Sequence, residues 1–107
     1  MNPVNPYELN YPPIIKQQLR TIDQKYHPLI RQAIEDQLRY EPDTETRNRK
    51  PLKRPVLSGA RWELRIGSNH CFRAFYRVDH DRHAVILLAI GEKAGNKLFI
   101  GGEEIQL

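Results

Sequence analysis

The spacing of hydrophobic and polar residues changes along the chain, and each change marks a predicted element. Residues 7–11 place large side chains at every second position, which predicts a short strand. Residues 13–22 and 27–39 carry apolar side chains at three- and four-residue spacing, which predicts two helices. The two segments are close enough in sequence to form a helical hairpin.

The second half of the chain predicts a meander of strands. Residues 61–66 alternate strictly and residues 72–78 nearly so, with turn residues between them, as in a β-hairpin. A turn at 79–83 leads to residues 84–90, which are apolar throughout, as in a central strand covered on both faces. We expect 91–97 to be a loop. The predicted class is α+β, with a short N-terminal strand and a helical hairpin packed on a mainly antiparallel sheet of three to four strands.

Residues 41–60 differ from both halves because they contain three prolines, many charges and little periodicity. An unstructured stretch of this length is uncommon in a small domain and more often functional than idle. We therefore predict a basic connecting loop here.

Size and composition limit the class of protein. A chain of 107 residues with 39% hydrophobic and 28% charged side chains indicates one globular domain, residues 1–107. The single Cys71 has no internal disulfide partner, and no apolar run approaches the roughly 20 residues that span a bilayer. The first residues resemble no signal peptide. We expect a cytoplasmic protein without a membrane partner.

The positive charge is concentrated in one segment. Nine of the 17 basic side chains and one of the 13 acidic ones lie between Arg47 and Arg77, so this segment carries +8. The remainder of the chain carries −4, and the formal net charge is +4. Such asymmetry is typical of a surface that binds a polyanion.

A hairpin register follows if its turn is centred on Asn69. Glu63 then pairs with Phe75, and two arginine pairs form, Arg65 with Arg73 and Arg61 with Arg77. The apolar side chains share the opposite face, which the helices can cover: Trp62, Leu64, Ile66, Phe72, Ala74, Tyr76 and Val78. Four arginines around one aromatic ring suit phosphate binding and base stacking, because like charges opposite each other destabilise a hairpin without an anion. A plain solvated face with Glu63 as a neutralising neighbour is the alternative.

The order of elements and one stretch of sequence resemble the RelE/ParE superfamily of bacterial toxins. The stretch runs Trp-Glu-Leu-Arg-Ile-Gly-Ser-Asn-His-Cys-Phe-Arg-Ala-Phe-Tyr-Arg-Val from Trp62. It is similar to the family's aromatic residue, apolar-Arg pair, turn and Arg-x-x-Tyr. The stretch Leu-Leu-Ala-Ile-Gly-Glu-Lys, which ends at Lys93, resembles the family's last strand and its basic exit.

The resemblance implies the toxin of a type II toxin–antitoxin system, in the RelE branch a ribosome-dependent mRNA endonuclease that needs no metal. The implied partners are a cognate antitoxin, in a hetero-oligomer, together with mRNA and the ribosome. Two alternatives stay open. One is a ParE-like inhibitor of DNA gyrase without nuclease activity, and the other is a non-catalytic nucleic-acid-binding module.

The resemblance also implies roles for residues. Arg73 would stabilise phosphate, Arg65 would contact phosphate or activate the nucleophile, and Lys93 falls near the basic residue after the last strand. Glu63 stands where the family has a second basic residue and could be a carboxylate base. Phe99 replaces the family's C-terminal tyrosine, so it could stack a base but could not transfer a proton. The remaining candidates for RNA binding are Arg47, Arg49, Lys50, Lys53, Arg54, Arg61, Phe75, Arg77 and Lys97.

A metal site or cofactor is not expected. The candidate ligands His70 and Cys71 lie on one turn, and His80, Asp81 and His83 lie on the turn at the other end of the same strand. Their spacing matches no zinc motif.

Overall fold

The computed structural model describes residues 5–54, 57 and 59–106. Residues 1–4, part of the segment that lacks a signal-peptide pattern, lie outside the described residues. So do residues 55, 56 and 58 of the predicted loop, and residue 107. The assignment of the whole chain to a single domain stays a prediction.

The described residues form a seven-stranded sheet in which β2 to β7 lie side by side in chain order. The strands are β1 (Glu8–Asn10), β2 (Arg49–Pro51), β3 (Trp62–Ile66), β4 (Phe72–Asp79), β5 (Ala84–Ala94), β6 (Lys97–Ile100) and β7 (Glu103–Ile105). Neighbours are antiparallel, except that β1 runs parallel to the first residues of β5. Since β6 pairs only with the last residues of β5, both strands share one edge of β5.

The α+β class and the antiparallel sheet agree with the sequence, but the expected number of strands is wrong. β2 lies inside the predicted loop at 41–60, and β7 lies inside the acidic tail. β5 extends to Ala94, so it includes the first four residues of the loop predicted at 91–97. The two short strands have three residues each, one with a proline and one with two glutamates. Their pairing comes from the neighbouring strand rather than from a hydrophobic period of their own.

Two helices cover one face of the sheet. α1 (Pro13–Leu19) begins with proline at its first position, which suits a position whose N–H has no helical partner. α1 is three residues shorter than predicted. Side chains, rather than the backbone N–H groups four residues further along a longer helix, form hydrogen bonds with its last carbonyl oxygens. The Thr21 hydroxyl donates to Gln18 O at 2.6 Å, and His27 Nε2 lies 2.8 Å from Leu19 O. After a short 3₁₀ turn, α2 (His27–Leu38) ends within one residue of the prediction.

The main core lies between the helices and the sheet. Ile15 of α1 and Ile30, Ile34 and Leu38 of α2 form one buried cluster with the apolar face of the hairpin and with Val85, Leu87 and Ile90 of β5. Leu64, Ile66, Phe72, Ala74 and Tyr76 are all at most 2% exposed there, with Trp62 and Val78 partly buried beside them. The predicted core face is therefore confirmed.

The opposite side of the sheet, here called the outer face, carries a second and smaller core. Phe75, Ala89 and Leu98 pack there under Ala60, with Leu52, Leu57, Leu88, Ile100 and Ile105 at the margin. A bulge places Phe75 opposite Ala89 but Tyr76 opposite Leu87, which leaves Leu88 as the extra residue of β5. Among the described residues, no helix has the length and apolar character needed to cross a membrane.

Candidate nucleic-acid interface

Arg65 of β3 and Arg73 of β4 lie directly opposite each other on the outer face, as the hairpin register predicts. We call them the arginine pair. Glu63 lies between their guanidinium groups, and one of its oxygens accepts a hydrogen bond from Arg65 and forms an ion pair with Arg73. Arg65 Nε donates to Glu63 Oε1 at 2.9 Å, and Arg73 Nη1 lies 3.0 Å from that atom. The carboxylate thus offsets the repulsion between two like charges that the sheet holds side by side.

The turn between β3 and β4 provides a second contact that holds the Arg73 side chain. Arg73 Nε donates to the backbone oxygen of His70 at 2.9 Å. Asn69 and His70 reach this arrangement with φ of 56° and 53°, in the left-handed region that Asn and His tolerate better than most residues. Arg73 is consequently held by two groups, and 12% of its side chain is exposed.

Two lysines share the outer face with the arginine pair. Lys50 of β2 lies opposite Glu63, and its ammonium group is 3.3 Å from Glu45. Lys93 of β5 lies opposite Leu98, and its backbone N–H donates to Cys71 O at 2.6 Å. Because Leu98 packs against Phe75, the register places Lys93 on the same side of the sheet. We call the four cations Lys50, Arg65, Arg73 and Lys93, with Glu63, the basic cluster.

Gly91 allows β6 to approach β5 next to the arginine pair. Gly91 lies opposite Arg73 on one side and Ile100 on the other. A Cβ atom at this position would lie 2.8 Å from Phe99 O, a distance that real Cβ atoms essentially never show. Glycine is therefore required where β5 passes from the hairpin to β6, two residues before Lys93.

Phe75 occupies a buried position, in place of the exposed one that the stacking of a base requires. The side chain does lie on the arginine face, but it is 0% exposed and forms the centre of the second core. The residues around 52–60, predicted to be an open loop, supply Leu52, Leu57 and Ala60 as its cover. A ring buried in this way stabilises the fold and is closed to RNA.

Phe99 is separated from the arginine pair by the sheet itself. It lies between Leu98 and Ile100, which face the outer side, so its ring faces the helices. There it lines a pocket of about 280 Å³ with Thr21, Ile22 and Glu92. The structure therefore places Phe99 on the other side of the sheet from the arginine pair, with which it was expected to bind RNA.

Arg49, which the sequence predicts to bind RNA, is buried and forms hydrogen bonds with backbone carbonyls of the fold. It is 8% exposed, and its guanidinium donates to Thr44 O at 2.9 Å and to Gln37 O at 2.7 Å. The Gln37 carbonyl belongs to the last turn of α2, where a cation also offsets the negative end of the helix dipole. Arg49 thus fastens β2 to the end of α2.

The remaining predicted contacts are spread over the surface. Arg61 and Arg77 are exposed at the far end of the hairpin from the arginine pair, and no ion pair joins either to another described side chain. We call them the distal arginines. Other exposed candidates are Arg47, Lys53, Arg54 and Lys97. Lys97 Nζ lies 4.0 Å from Glu104 Oε1 of β7, and Arg47, Lys53 and Arg54 belong to the segment around β2.

The four arginines predicted to surround Phe75 are therefore divided into two pairs, the arginine pair and the distal arginines.

Tyr76, which matches the tyrosine of the family motif, is a structural residue. It is 0% exposed, and its hydroxyl donates to Pro42 O at 2.6 Å. Burial raises the pKa of Tyr76 well above its usual value, against a lowering by the nearby Arg49. The hydroxyl therefore holds the segment after α2 on the core. Alternation predicted the buried ring of Tyr76 but not the partner of its hydroxyl, which lies 34 residues away in the chain.

The basic cluster can bind phosphate through several charged N–H donors. The side chain of Arg65 is 34% exposed, and its Nε is the atom that donates to Glu63. Arginine suits phosphate because its planar fork can donate two parallel bonds, and the lysines add point charges. Among the described residues, no three His, Cys, Asp or Glu side chains converge as metal ligands.

A comparison with protein-family models finds a family that covers most of the chain. The model described as "Phage derived protein Gp49-like (DUF891)" matches residues 17–99. The match begins in α1 and ends in β6, so it includes the whole basic cluster. The comparison with curated proteins gives no match.

Proposed function

The chain belongs to the Gp49-like family, a RelE/HigB-type toxin family associated with toxin–antitoxin systems, and on this basis we propose that it cuts mRNA on the ribosome. The observation that carries the proposal is the basic cluster. Two arginines and two lysines from four strands share one face, and one arginine is held in place by both a carboxylate and a backbone carbonyl.

The proposed reaction is cleavage of RNA by its own 2′-hydroxyl. The 2′-oxygen forms a bond to the adjacent phosphorus, the bond from phosphorus to the 5′-oxygen breaks, and a 2′,3′-cyclic phosphate and a 5′-hydroxyl result. One proton leaves the 2′-hydroxyl and one is delivered to the 5′-oxygen. The negative charge on the non-bridging oxygens is largest in the transition state, where fixed cations stabilise it most.

Arg73 and Arg65 are the groups we assign to those oxygens. Arg73 is pre-positioned by its two anchors, so little reorganisation is needed when the charge develops. Arg65 is more exposed and can meet the incoming strand. Lys93 and Lys50 stand on either side of the pair and suit the flanking phosphates or the leaving oxygen. Their cationic N–H groups offset charge without a metal ion.

The partner we propose is a cognate antitoxin, which the family suggests. The outer face carries a surplus of cations, and an acidic or amphipathic segment would match it. Co-expression with the product of an adjacent small gene, followed by purification of the pair, tests this part. A stable complex that dissociates at high salt is expected, and no complex would count against it.

One observation favours a second candidate, an inhibitor of DNA gyrase without nuclease activity. Phe75 is buried and Phe99 lies across the sheet, so neither predicted aromatic stacks a base at the arginine pair. A toxin that binds its target without cleaving RNA needs no such ring. The non-catalytic nucleic-acid-binding module makes a third prediction, namely salt-dependent binding with neither toxicity nor cleavage.

Expression of the chain, with total RNA and DNA examined at growth arrest, separates the three. The proposal predicts arrest of translation and new 5′-hydroxyl ends within coding sequences that disappear when translation is blocked beforehand. Intact mRNA together with DNA damage and altered plasmid supercoiling would favour the gyrase inhibitor. Undisturbed growth at full expression would favour the binding module.

A further inference from the structure

Glu63 is the acidic member of an otherwise basic cluster, and two observations define its surroundings. Its side chain is 11% exposed, which is close to the 12% of Arg73 beside it. Its oxygen Oε1 is 2.9 Å from Arg65 Nε and 3.0 Å from Arg73 Nη1. One of the two carboxylate oxygens of Glu63 is therefore engaged by both guanidinium groups.

From this geometry we propose that Glu63 is a positioning residue that aligns the arginine pair for a phosphate group, and is not a general base. The proposal rests on the function proposed above. A general base needs an oxygen within hydrogen-bond reach of the proton that it removes, and Oε1 is engaged by Arg65 and Arg73. A bridging carboxylate fixes the angle between two guanidiniums, and this angle decides whether both can donate to one phosphate.

The same contact makes Glu63 a competitor of the substrate. A carboxylate and a phosphate oxygen are both anionic acceptors for guanidinium, so Glu63 occupies donors that RNA could use. Removal of the negative charge of Glu63 would therefore strengthen RNA binding and, at the same time, weaken the alignment of Arg65 and Arg73. A structural ion pair without a role in the site would not produce this opposition between affinity and rate.

Three chains distinguish the roles of Glu63: wild type, Glu63→Gln and Glu63→Ala. The amide of Gln keeps a neutral acceptor oxygen at the same reach, whereas Ala keeps none, and neither can act as a base. Positioning therefore predicts that cleavage falls by about tenfold in Glu63→Gln and by about 100-fold in Glu63→Ala. General-base catalysis predicts equal losses in the two variants.

Binding of a short, uncleavable 2′-O-methyl RNA is measured on the same chains. We expect affinity to rise by up to about fivefold in Glu63→Gln, since one negative charge next to the phosphate site is removed. Glu45→Gln is the matched control. Glu45 is exposed and pairs only with Lys50 among the described residues, so the same change in charge should raise affinity slightly and leave the cleavage rate unchanged.

The alignment itself is observed without RNA through the Nε–H signals of Arg65 and Arg73 in ¹H–¹⁵N spectra. Both signals should move and broaden in Glu63→Ala and stay unchanged in Glu45→Gln. This readout holds even if the chain cuts no RNA, so failure of the proposed function is distinguishable from failure of the inference. Unchanged signals in Glu63→Ala would overturn the inference. The inference would also be overturned if Glu63→Gln and Glu63→Ala cut RNA at equal rates and both lost one limb of the pH–rate profile, as expected for the loss of a general base.

Discussion

The two ends of the outer face carry the same residue type in different surroundings. At the turn end, Arg65 and Arg73 share the Glu63 carboxylate, and Arg73 is also bonded to the turn. At the other end, the distal arginines Arg61 and Arg77 are exposed. Arg73 and Arg77 are four residues apart on one strand, or roughly 13 Å. Arginines of equal charge are therefore held by neighbouring groups at one end and exposed to solvent at the other.

The second core separates the two ends. Phe75 lies between Arg73 and Arg77 on β4 and is buried under the segment that follows β2. The sequence predicts four arginines around an accessible Phe75 ring, whereas the structure buries this ring in an apolar block between the two arginine pairs. The difference between a chemical site and a solvated cation is thus set by packing as much as by charge.

The largest expected effect concerns this apolar block. Phe75→Ala should lower the free energy of unfolding by about 3–5 kcal/mol, because it removes a buried ring and leaves a cavity. Urea denaturation followed by circular dichroism measures the loss. Phe75→Leu is the control for RNA stacking, since it keeps most of the volume and should cost less than about 1.5 kcal/mol. A Phe75→Leu chain with unchanged stability but weakened RNA binding would contradict the assignment of Phe75 to the core.

A smaller loss is expected at the neighbouring strand, where Arg49 and Lys50 are adjacent. Arg49→Ala should cost about 1.5–3 kcal/mol, because the carbonyls of Thr44 and Gln37 lose a charged donor. Lys50→Ala removes one surface ion pair and should cost about 0–1 kcal/mol. The urea midpoints of both variants are compared with wild type. Equal stability of the two variants would show that Arg49 does not fasten β2 to α2.

The smallest effect is expected at the distal arginines. Arg77→Ala should weaken binding of single-stranded RNA less than about threefold and reduce the salt slope of log K by about 0.7, as for one lost phosphate contact. Fluorescence anisotropy at several salt concentrations measures both quantities. A loss of tenfold or more at constant salt would mean that the distal arginines belong to the specific site.

The hairpin was the part of the fold best predicted from the sequence, since alternation fixed both its register and its core face. Every pair from Trp62–Tyr76 to Ile66–Phe72 follows it. The short strands β2 and β7 were missed because three residues carry too little periodicity to be seen apart from their neighbours. The end of α1 was missed because its carbonyls are capped by Thr21 and His27, which a hydrophobic pattern does not detect.

The candidate site was predicted in part. Arg65, Arg73 and Glu63 were found because alternation and register are local properties. Arg49 and Phe75 were assigned to the RNA because charge and aromaticity do not reveal burial, which here depends on residues far along the chain. One feature of the sequence indicates the turn that brings the His70 carbonyl to Arg73. This feature is the pair Asn69 and His70, two residue types that tolerate left-handed backbone conformations.

The most direct test of the account is a side-by-side measurement of mRNA cleavage on programmed ribosomes by Arg73→Ala and Arg77→Ala. Single-turnover rates are compared with wild type, after thermal melting shows that both chains are folded. We predict a loss of about 100- to 1000-fold for Arg73→Ala, as for removal of one preorganised donor to a transition-state oxyanion. Arg77→Ala should stay within about threefold of wild type, as expected for an exposed charge. Similar rates for the two variants would contradict the assignment of the chemistry to the arginine pair.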